Sequence, residues 1–284
     1  MAIRTILALT MLACSFIVAT APRREPGVAW GQPHYGMGTT GPTTAASMPA
    51  WMKDFKAATF RQDDKSLPYR LLAPPDYDPA KKYPLVLLLH GSGERGSDNV
   101  RQLLLGVQAF TAPEVRKGHP AFVVVPQCPA DRMWVEPIVP PRPHHMAAEP
   151  AEPLRLAIEL VKSLQKEYSI DPDRLYVTGL SMGGYGVWDA IARWPKMFAA
   201  AVPVCGGGDE STTAGIAAMP IWVFHGRVDR SVPVQHSRNM VAALKLAGAA
   251  ANLRYTEYPE AAHDSWTRAY REKDLMGWLF AQKR

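Results

Sequence analysis

The chain has 284 residues, 47% hydrophobic and 20% charged, with 26 Pro, 21 Gly and 3 Cys. That composition excludes a disordered or collagen-like chain, and the length suffices to bury a sizeable core without disulfides or metals. The 32 Lys and Arg against 26 Asp and Glu leave a net charge of +6, spread without any run of about five or six like charges, so a nucleic-acid arm or a basic membrane patch is not expected.

Arg4 is the only charge before Arg23, and residues 6–19 between them are apolar. A basic start, a short apolar run and the small residues Ala19-Thr20-Ala21 have the form of a secretory signal peptide. The run is shorter than the ~20 residues of a membrane span. Residues 1–21 are therefore expected to be a signal peptide, and the mature chain to be secreted or periplasmic without a membrane span. Pro22 directly after Ala21 is a poor cleavage context, which moves cleavage to a later site, for example after Ala29. The alternatives are a lipid-modified Cys14 and an uncleaved anchor. Residues 22–50, rich in Gly, Pro and Thr, read as a flexible linker. Residues 51–284 read as one catalytic domain.

From Trp51 onward, strands alternate with helices. Strands are predicted at 69–72 (an edge strand), 85–89, 121–125, 175–179, 200–204, 221–224 and 253–258. Most are short continuous apolar runs, which suit strands buried on both faces of a parallel sheet. Helical spacing predicts helices over 153–168, 184–194 (stopped by Pro195), 233–246 (ended by Gly248) and 265–281. The pattern predicts an α/β domain with a mostly parallel sheet and helices on both faces. One segment breaks the rhythm: eight prolines lie from Pro126 to Pro153, a surface loop or a wall over the site. Its Trp134 either lines a substrate pocket or pins the loop to the body. Its His144-His145 pair is not expected to bind metal, because adjacent side chains diverge and no partner stands at ligand spacing.

Gly179-Leu180-Ser181-Met182-Gly183 reads G-x-S-x-G between a buried strand and a helix, the context that motif requires. The sharp turn needs glycine at its flanks and sets Ser181 at a helix N-terminus, where negative charge is favoured. Serine needs a base, and the base needs an orienting carboxylate. Asp229, in His225-Gly226-Arg227-Val228-Asp229, and His263 each follow a predicted strand, where ligands collect in open α/β sheets. Asp209 is the rival acid. His225 reads as structural, His236 as a helix residue, and Asp264 as too close to His263 in sequence to orient it. Ahead of these, the glycines of the 90–96 segment, His90-Gly91-Ser92-Gly93-Glu94-Arg95-Gly96, let backbone N–H groups approach a substrate oxygen. The Ser92 and Met182 N–H groups are the candidate oxyanion hole. Glu94 and Arg95 either brace this loop or touch substrate. Cys128 and Cys205 are read as two buried thiols or, after export, as a disulfide.

The G-L-S-M-G-G turn, the H-G-x-G loop and the H-G-x-x-D…H order resemble the α/β-hydrolase superfamily. They are similar to secreted bacterial esterases related to dienelactone hydrolases, feruloyl esterases and polyhydroxyalkanoate depolymerases. The 90–96 segment and Pro126-Gln127-Cys128-Pro129 are similar to a branch labelled predicted peptidase or phospholipase/carboxylesterase. The resemblance runs from Tyr69 to the C-terminus. It implies a Ser181–Asp229–His263 triad, no cofactor and no metal, with no catalytic role for Cys128 or Cys205. The expected function is ester hydrolysis through an acyl-enzyme, on a small-molecule or polysaccharide-linked ester, with no nucleic-acid partner. A peptidase on the same triad and a non-catalytic binding module are the alternatives. Since a free imidazole titrates near ~6.5, the rate is expected to rise through roughly pH 6–7 and then level.

Overall fold

The computed structural model describes residues 48–135 and 144–284. The expected signal peptide and nearly all of the expected linker lie outside the described residues. Among those described, eight strands form one sheet in the order β1-β2-β4-β3-β5-β6-β7-β8. They are β1 Lys56–Gln62, β2 Lys65–Leu72, β3 Tyr83–Leu89, β4 Phe122–Pro126, β5 Ile170–Leu180, β6 Ala200–Val204, β7 Ile221–Gly226 and β8 Leu253–Tyr258. β1 to β2 and β2 to β4 pair antiparallel, and every other neighbouring pair is parallel. The helices are α1 Ala50–Lys53, α2 Pro113–Gly118, α3 Glu152–Glu167, α4 Met182–Arg193, α5 Gln235–Leu246, α6 Trp266–Ala269 and α7 Leu275–Ala281.

The apolar strand runs do what their composition demands. Every residue of β3, β4, β6 and β7 is buried, and successive side chains enter opposite faces of the sheet. Leu85, Leu87 and Leu89 join a core with α3, α4 and α5. Val86 and Leu88 join a second core with α1, α6 and α7. The sheet is thus sandwiched between two layers, each buried aliphatic side chain contributing about 1.5–3 kcal/mol.

Two expectations are corrected. The predicted edge strand at 69–72 is the end of β2, which lies one position inside the edge. The outer strand is β1, joined to β2 by a tight Asp63-Asp64 turn in which Asp63 has φ 54°. Lys-Ala-Ala-Thr-Phe-Arg-Gln carries too little apolar signal to read as a strand, because an edge strand needs few buried positions. The closing helix predicted over 265–281 is three pieces: a 3₁₀ turn His263–Ser265, then α6, then α7. The interruption falls at Arg271-Glu272-Lys273-Asp274, four charged residues with no apolar side chain to bury.

Parallel pairing in register sets neighbouring loops side by side. Leu89 pairs with Gly179, so the chain leaves β3 and β5 at adjacent points. A Cβ on Gly183 would be driven into the Leu89 carbonyl oxygen. Gly183→Ala should therefore lower stability by about 1–3 kcal/mol or prevent folding. Gly277→Ala in α7, where a Cβ meets nothing within 4 Å, should raise it by about 0.5–1 kcal/mol. Urea unfolding midpoints of the two variants should move in opposite directions.

Candidate active site

Ser181 stands between β5 and α4 at φ 54°, ψ −118°, a conformation that costs a non-glycine residue about 1–3 kcal/mol. The surroundings enforce it. The Ser181 N–H donates to the Val204 carbonyl at 3.0 Å, and the Tyr185 N–H returns to the Ser181 carbonyl at 3.2 Å. A Cβ on Gly179 would sit 2.5 Å from the Gly183 carbonyl oxygen, so only glycine lets the two arms of the turn come together. The result is a half-buried serine whose hydroxyl leaves the strand tip.

The Ser181 Oγ lies 2.8 Å from His263 Nε2, and His263 Nδ1 lies 2.7 Å from Asp229 Oδ2. The three residues predicted from strand order are therefore joined in one hydrogen-bonded chain. Burial alone would raise the Asp229 carboxyl. Hydrogen bonds from His225 and His263, the charge of His263 and the Val232 N–H outweigh it and hold the group well below the usual carboxylate range. An ionised Asp229 only accepts, so Nδ1 of His263 carries the proton and Nε2 is left to accept from the serine hydroxyl. The other carboxylate oxygen, Oδ1, accepts the Ser231 N–H at 2.8 Å and the Val232 N–H at 2.9 Å. Asp229 is thus fixed by its own turn before it meets the histidine.

His225 is buried behind the acid. Its Nδ1 lies 2.7 Å from Ser237 Oγ, and its Nε2 lies 2.9 Å from the Val232 carbonyl and 3.3 Å from Asp229 Oδ2. Because Nε2 faces two acceptors, it carries a proton, and that proton clamps the acid's turn. Asp209 is placed away from the histidine. It caps the 3₁₀ turn Glu210–Ile216, with Oδ1 accepting from Ser211, and Oδ2 accepts the Met146 N–H at 2.9 Å. His236 lies on α5.

The 90–96 loop lies against the serine turn. Ser92 opens a 3₁₀ turn, Ser92–Glu94, and Met182 opens α4; first-turn N–H groups lack intrahelical partners and are available to an anion. Buried His90 anchors the loop. Its Nε2 accepts the Cys128 N–H at 2.9 Å, so its Nδ1 carries the proton toward the Gly91 carbonyl at 2.6 Å. Burial pushes this imidazole down to about 4, so it stays neutral. Arg95 braces the loop, its Nε donating to the Ser92 carbonyl at 2.9 Å. Gln127, part of the family resemblance but given no role there, donates through its amide to the Glu94 carbonyl and accepts the Asn99 N–H.

Trp134 does not line an open pocket. It is fully buried, its ring packs edge-on to His90 at 5.2 Å, and its Nε1 donates to the His90 carbonyl at 3.0 Å. It pins the long loop to the body. The aromatic ring beside the site is Trp266, edge-on to His263 at 5.3 Å and half-buried. Cys128 and Cys205 are buried thiols. Cys205, Asp229 and His263 offer ligand atoms within 4.8 Å of one another. Burial first, and then the Asp229 charge, push the Cys205 thiol far up, and a thiol that keeps its proton is a poor metal ligand.

The family model described as "Putative esterase" matches residues 64–207, just over half of the chain, and that of the dienelactone hydrolase family matches residues 145–274. Poly(3-hydroxyalkanoate) depolymerase C of Paucimonas lemoignei is 29% identical over 141 residues, 48% of this chain and 30% of its own length. A bifunctional acetylxylan esterase/xylanase of Neocallimastix patriciarum is 24% identical over 217 residues, 75% of this chain and 28% of its own. The chain thus spans under a third of the length of these curated relatives. Among solved structures, a thermostable esterase superposes with a TM-score of 0.75 at 42% identity, over 82% of this chain and 64% of that one. With its sheet order and the family match over half its length, this chain belongs to the esterase family of the α/β-hydrolase fold.

Proposed function

We propose that this chain is an exported serine hydrolase that cleaves carboxylic esters through an acyl-enzyme on Ser181. The observation that carries the reading is the unbroken chain from Ser181 Oγ through His263 to Asp229, set at a turn that exposes the serine at a helix N-terminus. As Ser181 Oγ attacks the ester carbonyl carbon, its proton passes to His263 Nε2. The tetrahedral oxyanion is held by the Ser92 and Met182 N–H groups. Collapse expels the alcohol, which takes the proton from Nε2 and leaves the acyl group on Ser181. Water then attacks the acyl carbon and gives a proton to His263, which passes it to the departing Ser181 Oγ as the acid is released. Every proton has a place among these residues, so the cycle needs no metal or cofactor.

The substrate we infer is a small or polymer-linked ester. In support, one relative is named for depolymerising poly(3-hydroxyalkanoate) and another for acetylxylan esterase activity. Export rests on the basic start and apolar run of residues 1–21. No helix among the described residues is long and apolar enough to cross a membrane.

Ser181→Ala should lower p-nitrophenyl ester hydrolysis by about 10⁴-fold or more with an unchanged circular dichroism spectrum. A fluorophosphonate should label Ser181 alone, and chelators should leave the rate intact. Activity within a few-fold of the parent would remove Ser181 from the nucleophile's role.

Asp229→Asn should slow turnover by up to ~10⁴-fold, far more than Asp209→Asn. It also has a stability signature. A carboxyl with a depressed native pKa contributes stability that is fully present above its unfolded value of ~3.9 and is lost as pH falls toward the native value. Melting temperatures of wild type and Asp229→Asn should therefore differ at pH 7 and converge on acidification. A constant gap would assign the effect to shape instead of charge.

N-terminal sequencing of the extracytoplasmic form should begin between Pro22 and Trp51. A lipid-blocked Cys14, or an intact Met1 on membranes, would refute an exported mature chain that begins in that interval.

A further inference from the structure

Glu94 is the one carboxylate of the 90–96 loop, and it is not where a charged loop residue belongs. It ends the 3₁₀ turn Ser92–Glu94 with only 8% of its surface exposed, while Ser92 and Gly93 beside it are exposed. Its side chain folds back under its own loop. Oε2 lies 3.0 Å from where a Cβ of Gly91 would sit, and the Leu180 side chain closes on the same point at 2.9 Å. The carboxyl is therefore wedged between the loop that offers the Ser92 N–H and the residue that precedes Ser181. Buried there, Oε2 has no hydrogen-bond partner among the described residues. Arg95, its neighbour in sequence, is spent elsewhere, on the Ser92 and Arg132 carbonyls at 2.9 and 3.3 Å.

We propose that Glu94 is a positioning residue for the oxyanion donors, its side chain a proton-sensitive wedge that seats the 90–96 loop against the Ser181 turn. The proposal rests on the serine mechanism above and adds a second titrating group to it.

The reasoning is one of solvation. A neutral carboxyl tolerates the buried, unpartnered Oε2 at modest cost, but a carboxylate there, favoured only by the backbone N–H groups of its own loop and by more distant charges, is under-solvated. Burial pushes Glu94 up to about 7. The backbone N–H groups of Gly91 and of Glu94 itself, then Arg101 and His263, pull the other way without prevailing. Below that value the wedge is neutral and the loop stays seated. Above it the carboxylate draws water in or swings out, the loop lifts with it, and a negative charge stands beside the developing oxyanion. Both effects slow acylation. The rate should therefore not level above neutrality, as an isolated serine–histidine pair would, but fall toward tenfold per pH unit.

The test is the pH dependence of kcat/KM for p-nitrophenyl acetate from pH 5 to 9, followed at the isosbestic wavelength of the phenol. Wild type should give a bell whose alkaline limb begins near neutrality. In Glu94→Gln, the same shape without an ionisable proton, the alkaline limb should vanish and the acid limb remain. Arg101→Gln, at an exposed side chain whose charge favours the Glu94 anion, should move the alkaline limb to higher pH. It also decides the matter if Glu94→Gln fails to fold. A wild-type plateau to pH 9, an alkaline limb that persists in Glu94→Gln, or one that Arg101→Gln leaves in place would overturn the role of Glu94. Fluorophosphonate labelling of Ser181, run in parallel, separates the two readings. Labelling without the Glu94 effect sinks this inference alone, and failure to label Ser181 sinks the serine mechanism.

Discussion

The contact on which the site depends is the approach of one backbone to another: the Ser181 turn pressed against the end of β3. Gly183 rests on the Leu89 carbonyl and Gly179 on the Gly183 carbonyl, so no side chain fits between. This packing holds Ser181 in a strained conformation and starts α4 directly after it. The cost of about 1–3 kcal/mol is offset by the two cores that clamp the sheet from either side. Were the turn to relax, the hydroxyl would lose its alignment with His263 and the Met182 N–H would swing with the helix.

Charge is handled with the same economy. Asp229 is buried, yet ionised, because its two oxygens are assigned to different tasks. One is tied down by backbone N–H groups of its own turn, and the other takes the His263 and His225 protons. A buried carboxylate with so many donors is rigid, which is what an orienting acid requires. Glu94, a few residues from the other side of the site, has the opposite surroundings and the opposite shift. Two acids are thus driven apart by their environments, one kept charged and the other held protonated until the pH approaches neutrality.

Much of this was legible in the sequence, for reasons that are local. The G-x-S-x-G turn encodes its own geometry, and apolar runs five residues long announce buried strands. Asp229 and His263 follow from them, because each stands just past a strand in a sheet whose loops gather at one end. What stayed hidden depends on who meets whom. The β1 strand has no apolar stripe, so only its pairing with β2 reveals it. Trp134 reads equally well as pocket wall or anchor until His90 is seen to accept its N–H. Nothing in Gly-Glu-Arg-Gly suggests that the glutamate turns inward, since charged residues between glycines are ordinarily solvated.

The Pro-rich excursion is held firmly at both ends. On one side Trp134 is fastened to His90. On the other, Met146 is fastened to Asp209, and Arg193 donates to the carbonyls of Ala147, Ala148 and Glu149. The two moorings differ in what they touch: the first is the His90 that anchors the 90–96 loop, and the second joins none of the hydrogen bonds among Ser181, His263 and Asp229. A change at Trp134 is thereby carried into the 90–96 loop through His90, whereas one at Arg193 is spent on the far mooring, away from the serine, its histidine and its acid.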